Sequence, residues 1–280
     1  MNADRHVDSI TLTDVTKRYA NGPVVLNDVS LSVHPHELVT VLGPSGSGKT
    51  TLLLIVAGFE TPTSGTVYVK GVPIDGLPPQ KRNLGIVFQS YALFPHLSVL
   101  QNVEFPLRVR GLAARDRHAR VSKILETVGL AQFAHRRPHE LSGGQQQRTA
   151  LARALVFDPA ALLLDEPLAA LDRRLRESLQ SEIKDVQKRT GASILYVTHD
   201  QEEALGLSDR IAVISEGRVA QIGTPHEVYM NPANLFVAGC LGETNVLPCT
   251  PLEMFSGTVR VGYEAGEGRT RIPEGDRVSL

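Results

Sequence analysis

The alternation of apolar and polar residues along the chain predicts a mixed α/β protein. Three short runs in the first third alternate in the way strands do when one sheet face is exposed to solvent. They are residues 9–13, 29–33 and 66–69. Four other runs are mainly aliphatic, which is typical of strands buried on both faces of a parallel sheet. They are residues 38–42, 161–164, 193–197 and 210–214. Helical patterns such as residues 172–188 separate the later runs, so we expect a doubly wound, mainly parallel sheet beside an antiparallel flap.

The pattern also predicts how the chain divides. Residues 98–137 are charged and helical, with Pro and Gly between the segments, and they indicate an inserted helical subdomain at about residues 90–155. After Asn231-Pro232 the sequence changes to short strand-like pieces broken by Gly and Pro. We therefore expect one large domain over residues 1–235 and a partial β module over residues 236–280.

Composition narrows the class of protein. The chain has 280 residues, 42% of them hydrophobic, and a formal net charge of -1. A net charge so close to zero gives no large positive potential to attract nucleic acid, so we expect no nucleic-acid partner. The sequence contains neither a membrane-spanning apolar stretch nor an apolar signal sequence, which predicts a cytoplasmic protein. Cys240 and Cys249 are predicted to be free thiols.

A glycine-rich segment follows the buried run at residues 38–42. It fits the pattern of a phosphate-binding loop between a strand and a helix, where backbone N–H groups surround phosphate oxygens. Lys49 is expected to meet the β and γ phosphates, and the Thr50 hydroxyl to bind Mg²⁺. The alternative is a glycine-rich turn before a helix. The residues predicted to hold nucleotide here are Gly43, Pro44, Ser45, Gly46, Ser47, Gly48, Lys49, Thr50 and Thr51.

Two acids end the aliphatic run at residues 161–164. Asp165 is predicted to hold Mg²⁺ and Glu166 to polarise an attacking water. The alternative is a solvated acidic turn at the end of a strand. With the phosphate loop upstream, the pair favours hydrolysis of a nucleoside triphosphate.

A Ser-Gly-Gly-Gln segment opens another helix. Its residues are Ser142, Gly143, Gly144 and Gln145, and they form either a second anion-binding helix start or a simple helix cap. Preceded by Leu141, the segment resembles the LSGGQ motif of the ATP-binding-cassette (ABC) ATPases. In that family the motif reaches the γ-phosphate bound by the opposite subunit. The resemblance implies a homodimer that holds two ATP molecules between its chains.

The resemblance covers residues 10–248 and implies further roles. Tyr19 matches the aromatic that stacks on adenine, and Gln89 matches the glutamine that contacts Mg²⁺ and the attacking water. Asp172 matches the acid of a loop that crosses the dimer interface, although Ala169 stands where the family more often has Ser. His199 matches the histidine that contacts the γ-phosphate. Without the resemblance, Tyr19 would be a half-buried strand residue and His199 a solvated strand end.

The same resemblance favours a transport function. Residues 91–94 place large apolar side chains after Gln89, and they form either a small satellite core or a docking groove for a membrane partner. Because no membrane span is fused to it, the chain is similar to importer ATPases that work with separate permease subunits and, indirectly, a solute-binding protein. Such a chain would sit on the cytoplasmic face of the membrane through its permease.

Three segments narrow the resemblance to one group of importers. They are residues 81–83, 221–225 and 231–234. They look most like the importer ATPases for spermidine/putrescine, ferric iron and sugars, with polyamine first. These relatives continue into a fuller oligonucleotide-binding-like regulatory domain, of which residues 236–280 would be part. The alternatives are an ABC ATPase of DNA repair or the ribosome, and a metabolic kinase, which would leave residues 141–145 without a purpose.

Overall fold

The structure is a computed structural model that describes residues 7–20, 22–169, 173–242, 244, 250–255, 258–263 and 266–271. Its strands and helices follow one another along the chain in this order: β1 (Ile10–Arg18), β2 (Val24–Val33), β3 (Leu38–Leu42), α1 (Lys49–Ala57), β4 (Ser64–Val69), β5 (Val72–Pro73), β6 (Leu84–Val87), α2 (Val99–Val109), α3 (Ala114–Thr127), α4 (Gly143–Leu155), β7 (Ala161–Asp165), α5 (Arg173–Thr190), β8 (Ile194–Thr198), α6 (Gln201–Leu207), β9 (Arg210–Ser215), β10 (Arg218–Gly223), α7 (Pro225–Met230), α8 (Leu235–Leu241), β11 (Thr250–Phe255), β12 (Thr258–Tyr263) and β13 (Gly266–Arg271).

A six-stranded sheet forms the centre of the molecule, with strand order β10-β9-β3-β8-β7-β6. β9, β3, β8, β7 and β6 run parallel, and β10 pairs antiparallel with β9. All five residues of β3 are buried, as expected of a strand covered on both faces. The predicted mixed α/β fold with a mainly parallel sheet is therefore confirmed.

The period-2 alternation of the strands divides the core into layers. Val39 and Val41 of β3 point into a cluster shared with α1 and with a four-stranded antiparallel sheet of order β2-β1-β4-β5. Leu38, on the opposite face, belongs to a cluster shared with the helices α2 to α5. Leu42 packs with α6, α7 and α8 in a third cluster. The antiparallel sheet is the predicted flap.

The region predicted as a helical subdomain contains α2, α3 and α4. Ser98 and Gln101 form a capping box at the start of α2. Asn102, which is fully buried, donates through its side-chain amide to the carbonyls of Phe94, Leu97 and Ser98. These bonds fix the loop that leads from the central sheet into the helices.

The C-terminal part of the described chain contains both helix and sheet. α8 occupies residues 235–241, where strand-like texture was expected, because the Asn234 side chain caps the helix by accepting from the Val237 amide at 2.9 Å. Val237 and Leu241, four residues apart, are buried. β11, β12 and β13 then form a three-stranded antiparallel sheet. α8, which begins at the predicted domain boundary, packs through Val237 and Leu241 against the cluster that contains Leu42, so the boundary stays a prediction.

Candidate active site

Four neighbouring strands of the central sheet end at one edge, and most predicted site residues follow them directly. The glycine-rich loop follows β3, His199 follows β8, Asp165 and Glu166 end β7, and Gln89 comes two residues after β6. The carboxyl ends of parallel strands meet at the same edge of an open α/β sheet, which is the usual place for a ligand. Residues far apart in sequence are thus brought together.

The glycine-rich loop has a geometry that only glycine tolerates at residue 48. Gly48 is the N-cap of α1 with φ of 100°. A Cβ at this position would lie 2.7 Å from the Val25 carbonyl oxygen and 2.8 Å from Leu26 Cδ2. The first backbone amides of α1 have no acceptor within the helix, so they and the helix dipole favour an anion at this end. The loop is therefore shaped to bind phosphate.

Lys49 lies inside the loop and is 4% exposed. Its Nζ donates to the carbonyl oxygens of Gly43 at 2.8 Å and Pro44 at 2.9 Å. Burial lowers the pKa of Lys49, and the nearby charges of Glu166 and Asp165 oppose that change. A polyphosphate entering the loop would give this cation an anionic partner and favour its protonated form.

A second polar group inside the loop has an unused hydrogen-bonding capacity. The Ser47 hydroxyl oxygen is buried and has no hydrogen-bond partner among the described residues. A buried hydroxyl without a partner is unfavourable, and a phosphate oxygen would satisfy it. Ser47 thus adds a donor to the amides and the Lys49 ammonium group.

The two acids after β7 suit a divalent cation. Asp165 Oδ1 lies 3.5 Å from Thr50 Oγ1, so two hard oxygen donors converge beside the loop. Burial raises the pKa of Asp165, and the charge of Glu166 raises it further. A bound cation would reverse that shift, which is why the pair fits Mg²⁺. The described residues hold no cluster of three or more His, Cys, Asp and Glu side chains suited to a metal.

Glu166 adopts an uncommon backbone conformation next to the histidine. Its φ is 43°, in the left-handed region that non-glycine residues seldom occupy, and its amide donates to the Val197 carbonyl at 3.0 Å. Such strained residues are often found at active sites. Glu166 Oε2 lies 3.1 Å from His199 Nδ1. Two side chains with predicted chemical roles are therefore in direct contact.

A cavity of about 290 Å³ lies over these groups. The described residues that line it are Val25, Ser45, Gly46, Gly48, Lys49, Thr50, Thr51 and Glu166. Val25 of β2 was not predicted, because nothing in the sequence distinguishes it from the other apolar residues of that strand. Tyr19, Gln89 and residues 142–145 are not among the described residues that line the cavity.

Ser142 and Gln145 form a capping box at the start of α4. Ser142 Oγ accepts from the Gln145 amide at 3.3 Å, and Gln145 Oε1 accepts from the Ser142 amide at 3.0 Å. The helix cap considered as an alternative is thus present. It leaves the hydroxyl proton of Ser142 available, because the oxygen serves as the acceptor in the cap.

The remaining predicted residues are Tyr19, Gln89 and Asp172. Tyr19 follows β1, is 40% exposed, and has Lys17 Nζ 4.7 Å from its ring centroid. Gln89 is exposed. Asp172 lies outside the described residues.

Cys240 on α8 is a free thiol whose pKa is raised by burial and lowered by the charge of Lys49. This proximity of α8 to the glycine-rich loop had no signal in the sequence, and Cys249 lies outside the described residues.

The residues that were predicted to dock a partner are partly packed within the chain. Tyr91 and Leu93 contact the cluster of buried side chains in the helical region. The Tyr91 hydroxyl donates to the Pro167 carbonyl at 3.1 Å, and the ring of Phe94 lies 4.6 Å from that of Phe105. The segment therefore combines a local packing role with partial exposure.

Comparison with known proteins identifies the family. A family model described as ABC transporter matches residues 26–169, about half of the chain. The spermidine/putrescine import ATP-binding protein of Thermobifida fusca is 48% identical over 264 residues, which cover 93% of this chain and 69% of that protein. The Fe(3+) ions import ATP-binding protein of Rhizobium etli is 50% identical over 240 residues, which cover 86% of this chain and 68% of that protein. The chain spans between 65% and 70% of the length of such curated relatives.

Solved structures agree with this assignment. A dimeric ATP-binding cassette, MJ0796, in a post-hydrolysis state with ADP and Pi, is 35% identical with a TM-score of 0.66 over 77% of this chain and 98% of that one. The cassette cbiO1 from Clostridium perfringens, part of an ABC transporter complex, is 31% identical with a TM-score of 0.74 over 81% of this chain and 92% of that one. The chain therefore belongs to the ABC transporter family and is one of its ATP-binding, ATP-hydrolysing cassettes.

Proposed function

We propose that this chain is the ATP-hydrolysing subunit of an importer and drives solute uptake through separate permease subunits. The observation that carries the proposal is the meeting of the phosphate loop, Asp165, Glu166 and His199 at one sheet edge, in a chain 48–52% identical to importer ATP-binding proteins. No helix among the described residues is long and apolar enough to cross a membrane. In this proposal the chain reaches the cytoplasmic face of the membrane through its permease.

The phosphate loop would hold the triphosphate. Lys49 exchanges its two carbonyl partners for oxygens of the β and γ phosphates, which replaces neutral acceptors with charged ones. The amides of the loop and of the start of α1 donate to the same phosphates. Residues 43–51 thus fix the position of the bond to be broken, and Tyr19 would stack on the adenine.

Thr50, Asp165 and Gln89 would hold Mg²⁺. When bound, Mg²⁺ neutralises phosphate charge and polarises the phosphoryl oxygens. Thr50 and Asp165 are already close to each other, whereas Gln89 is exposed and follows β6, the strand next to β7. Asp165 would be ionised in that complex, against the effect of its burial.

Glu166 would polarise the attacking water, and His199 would contact the γ-phosphate. In the structure His199 Nδ1 and Glu166 Oε2 lie 3.1 Å apart, so water and phosphate would enter beside two side chains already in contact. A carboxylate orients water by accepting its proton in a hydrogen bond, and this requires charge as well as position. The hydrogen bond from the Glu166 amide to the Val197 carbonyl helps to fix the position of this residue.

Replacing the carboxylate of Glu166 tests this chemistry. Glu166→Gln keeps the size of the side chain but loses its charge, so turnover should fall by about 100-fold or more while ATP binding persists. Glu126→Gln removes an exposed carboxylate on α3 and should leave turnover unchanged. Near-normal hydrolysis by Glu166→Gln would place the base elsewhere.

The second half of each ATP site would come from the other chain of a homodimer. Ser142, Gly143, Gly144 and Gln145 are not among the described residues that line the phosphate-loop cavity, yet they start a helix in which the amides of Gly143 and Gly144 have no acceptor within the helix. A two-fold dimer would place them, and the loop containing Asp172, against the partner's nucleotide. The dimeric cassette MJ0796 is consistent with this arrangement.

Mixing two inactive variants tests the dimer. Lys49→Ala damages the phosphate loop, and Ser142→Arg places bulk and charge at the opposite side of the nucleotide. In a mixed dimer assembled in trans, one site collects both defects and the other is intact, so hydrolysis and ATP retention should rise above those of either pure variant. No retention in dimers shown to be mixed would falsify the two-chain site.

Partner identification tests transport. Purification from native membranes should recover permease chains and a solute-binding protein, whereas ribosomes or DNA would contradict the transport function. Identities of 48–52% to spermidine/putrescine relatives and 49–50% to ferric-iron relatives differ too little to separate the two cargoes. Polyamine is our first proposal and ferric iron the second. Uptake of labelled spermidine and of ferric iron by cells with and without the gene distinguishes them.

A further inference from the structure

His199 lies in the short connection between β8 and α6. Its side chain is 51% exposed, so packing alone does not fix it. The residue before it, Thr198, accepts a hydrogen bond on Oγ1 from the Asp200 amide at 3.0 Å. Asp200 Oδ1 in turn accepts from the amides of Glu202 and Glu203 at 2.8 and 3.1 Å, which caps α6. The position of His199 therefore depends on where α6 begins.

α5 holds this short helix at both ends. At the start of α6, Arg176 Nη1 donates to Asp200 Oδ2 at 2.5 Å, and Arg176 Nε lies 3.8 Å from Glu203 Oε1. At its end, Lys184 Nζ donates to the Leu207 carbonyl at 2.7 Å and to Asp209 Oδ1 at 2.9 Å. α6 has only seven residues and gains little stability from its own hydrogen bonds, so its position depends on these contacts together with the packing of buried Ala204 and Leu207.

A buried carboxyl makes the contact at the start of α6 important. The side chain of Glu203 is 2% exposed and accepts from the hydroxyl of fully buried Tyr196 at 2.7 Å. Burial raises the pKa of Glu203, and the charge of Arg176 lowers it. Without Arg176, two carboxyls within one helical turn would face each other with less compensating charge. The helix start could relieve that repulsion by shifting, and His199 would move with it.

We propose that Arg176 is a positioning residue for His199: by pairing with Asp200 and Glu203 it fixes the start of α6 and holds the histidine beside Glu166 and the expected γ-phosphate. The proposal rests on the role proposed above for His199. Arg176 acts on His199 through Asp200 and Glu203. Its effect is confined to the catalytic step, because the phosphate loop that binds ATP lies on other elements.

A double-mutant cycle with the full chain tests the proposal. Single-turnover hydrolysis of radiolabelled ATP keeps slow variants measurable, and steady-state assays give kcat and KM. Arg176→Gln should lower kcat about tenfold and change the KM for ATP less than about twofold. Arg176→Lys should recover part of kcat, because lysine keeps the charge but not the fork that reaches two carboxylates. In the His199→Ala background, Arg176→Gln should lower the rate by less than about twofold.

Lys184→Gln is the matched control. It removes a cation from the same helix, but the end of α6 that it loosens, at Leu207, is the end away from His199. The kcat of this variant should therefore stay within about twofold of the wild type. Equal losses from Lys184→Gln and Arg176→Gln would overturn the proposal, since general loosening of α6 would then explain both.

The remaining outcomes are separable. If Arg176→Gln lowers the rate by the same factor with and without His199, Arg176 acts independently and the proposal alone is wrong. If His199→Ala hydrolyses ATP normally, the role of His199 is wrong and the proposal is wrong with it. If Arg176→Gln does not fold, Asp200→Asn replaces it, because asparagine can still cap α6 while losing the charge that faces Arg176. A normal kcat for Asp200→Asn would also overturn the proposal.

Discussion

Arg82 makes a strong prediction about the stability of the helix that carries the phosphate loop. The side chain is 4% exposed, and Nη1 donates to the carbonyls of Ile55 and Val56 at 2.7 and 3.0 Å. Nε and Nη2 donate to the carbonyls of Leu77 at 2.8 Å and Asp75 at 3.2 Å. One cation thus caps the last turn of α1 and ties it to the segment before β6.

The magnitude follows from these four bonds. Arg82→Met keeps most of the side-chain volume and leaves the carbonyls without their donor. Each buried acceptor left unsatisfied costs about 1–3 kcal/mol. The Ile55 carbonyl also accepts from the Gly58 amide at 3.1 Å, and the wild type bears the cost of burying the cation, so the total is reduced. We expect a loss of about 3 kcal/mol in the free energy of unfolding.

Urea unfolding followed by circular dichroism measures this loss. Arg115→Met on α3, where the arginine is exposed, is the control and should change the unfolding free energy by less than about 0.5 kcal/mol. Arg82→Lys should be intermediate, because an amine cannot donate in four fixed directions. A change below about 1 kcal/mol for Arg82→Met would refute the reasoning, since it would mean that water or the backbone replaces the guanidinium at no cost.

Three further predictions concern packing, docking and pH. Gly85→Ala should lower the free energy of unfolding by about 2 kcal/mol, because its Cβ would lie 2.4 Å from the Ala154 carbonyl oxygen. Gly76→Ala, whose Cβ would have no atom within 4 Å, should leave that free energy unchanged in the same urea assay. Leu93→Asp should abolish co-purification with the permease while ATP hydrolysis by the isolated chain survives, whereas Val109→Asp, at a side chain 68% exposed, should leave both intact; assembly that survives Leu93→Asp would mean the cluster only packs locally. Burial raises the pKa of Glu203 above its value in the unfolded chain, so the folded chain holds this proton more tightly. The protonated Glu203 therefore contributes fully to stability below the unfolded pKa, and this contribution is lost as the pH rises through the folded pKa. Glu203→Gln should therefore gain unfolding free energy relative to the wild type as the pH rises above the usual pKa of a glutamate, and a difference independent of pH would contradict the assignment.

Local patterns in the sequence were enough to predict the scaffold of the site. A buried five-residue strand followed by a glycine-rich loop gave β3 and the start of α1, since both signals lie within a few residues. Asp165 and Glu166 were found in the same way, at the end of an aliphatic run. Because parallel strands share a carboxyl edge, the strands bring these groups together in the structure.

Contacts between distant segments could not be predicted. Arg153 donates to the carbonyls of Tyr91 and Ala92, which lie 62 and 61 residues earlier and both have positive φ. Arg82 and Arg176 likewise act on carbonyls and carboxylates of other elements. The sequence pattern around an arginine does not identify the groups to which its side chain donates, so only the folded structure shows them. The helical start of the C-terminal region was missed because α8 is short and its cap, Asn234, resembles a turn residue.

The capping box at the start of α4 has a consequence for the thermodynamics of assembly. Ser142 and Gln145 already hold each other in fixed rotamers in the single chain. Ordering a flexible polar side chain at an interface costs about 0.5–1.5 kcal/mol of entropy. In the proposed dimer that cost has been met during folding of each chain, so more of the attraction to the partner's nucleotide is available for association. ATP would then bind between two surfaces whose side chains are already ordered, and the affinity of the dimer would depend chiefly on the nucleotide.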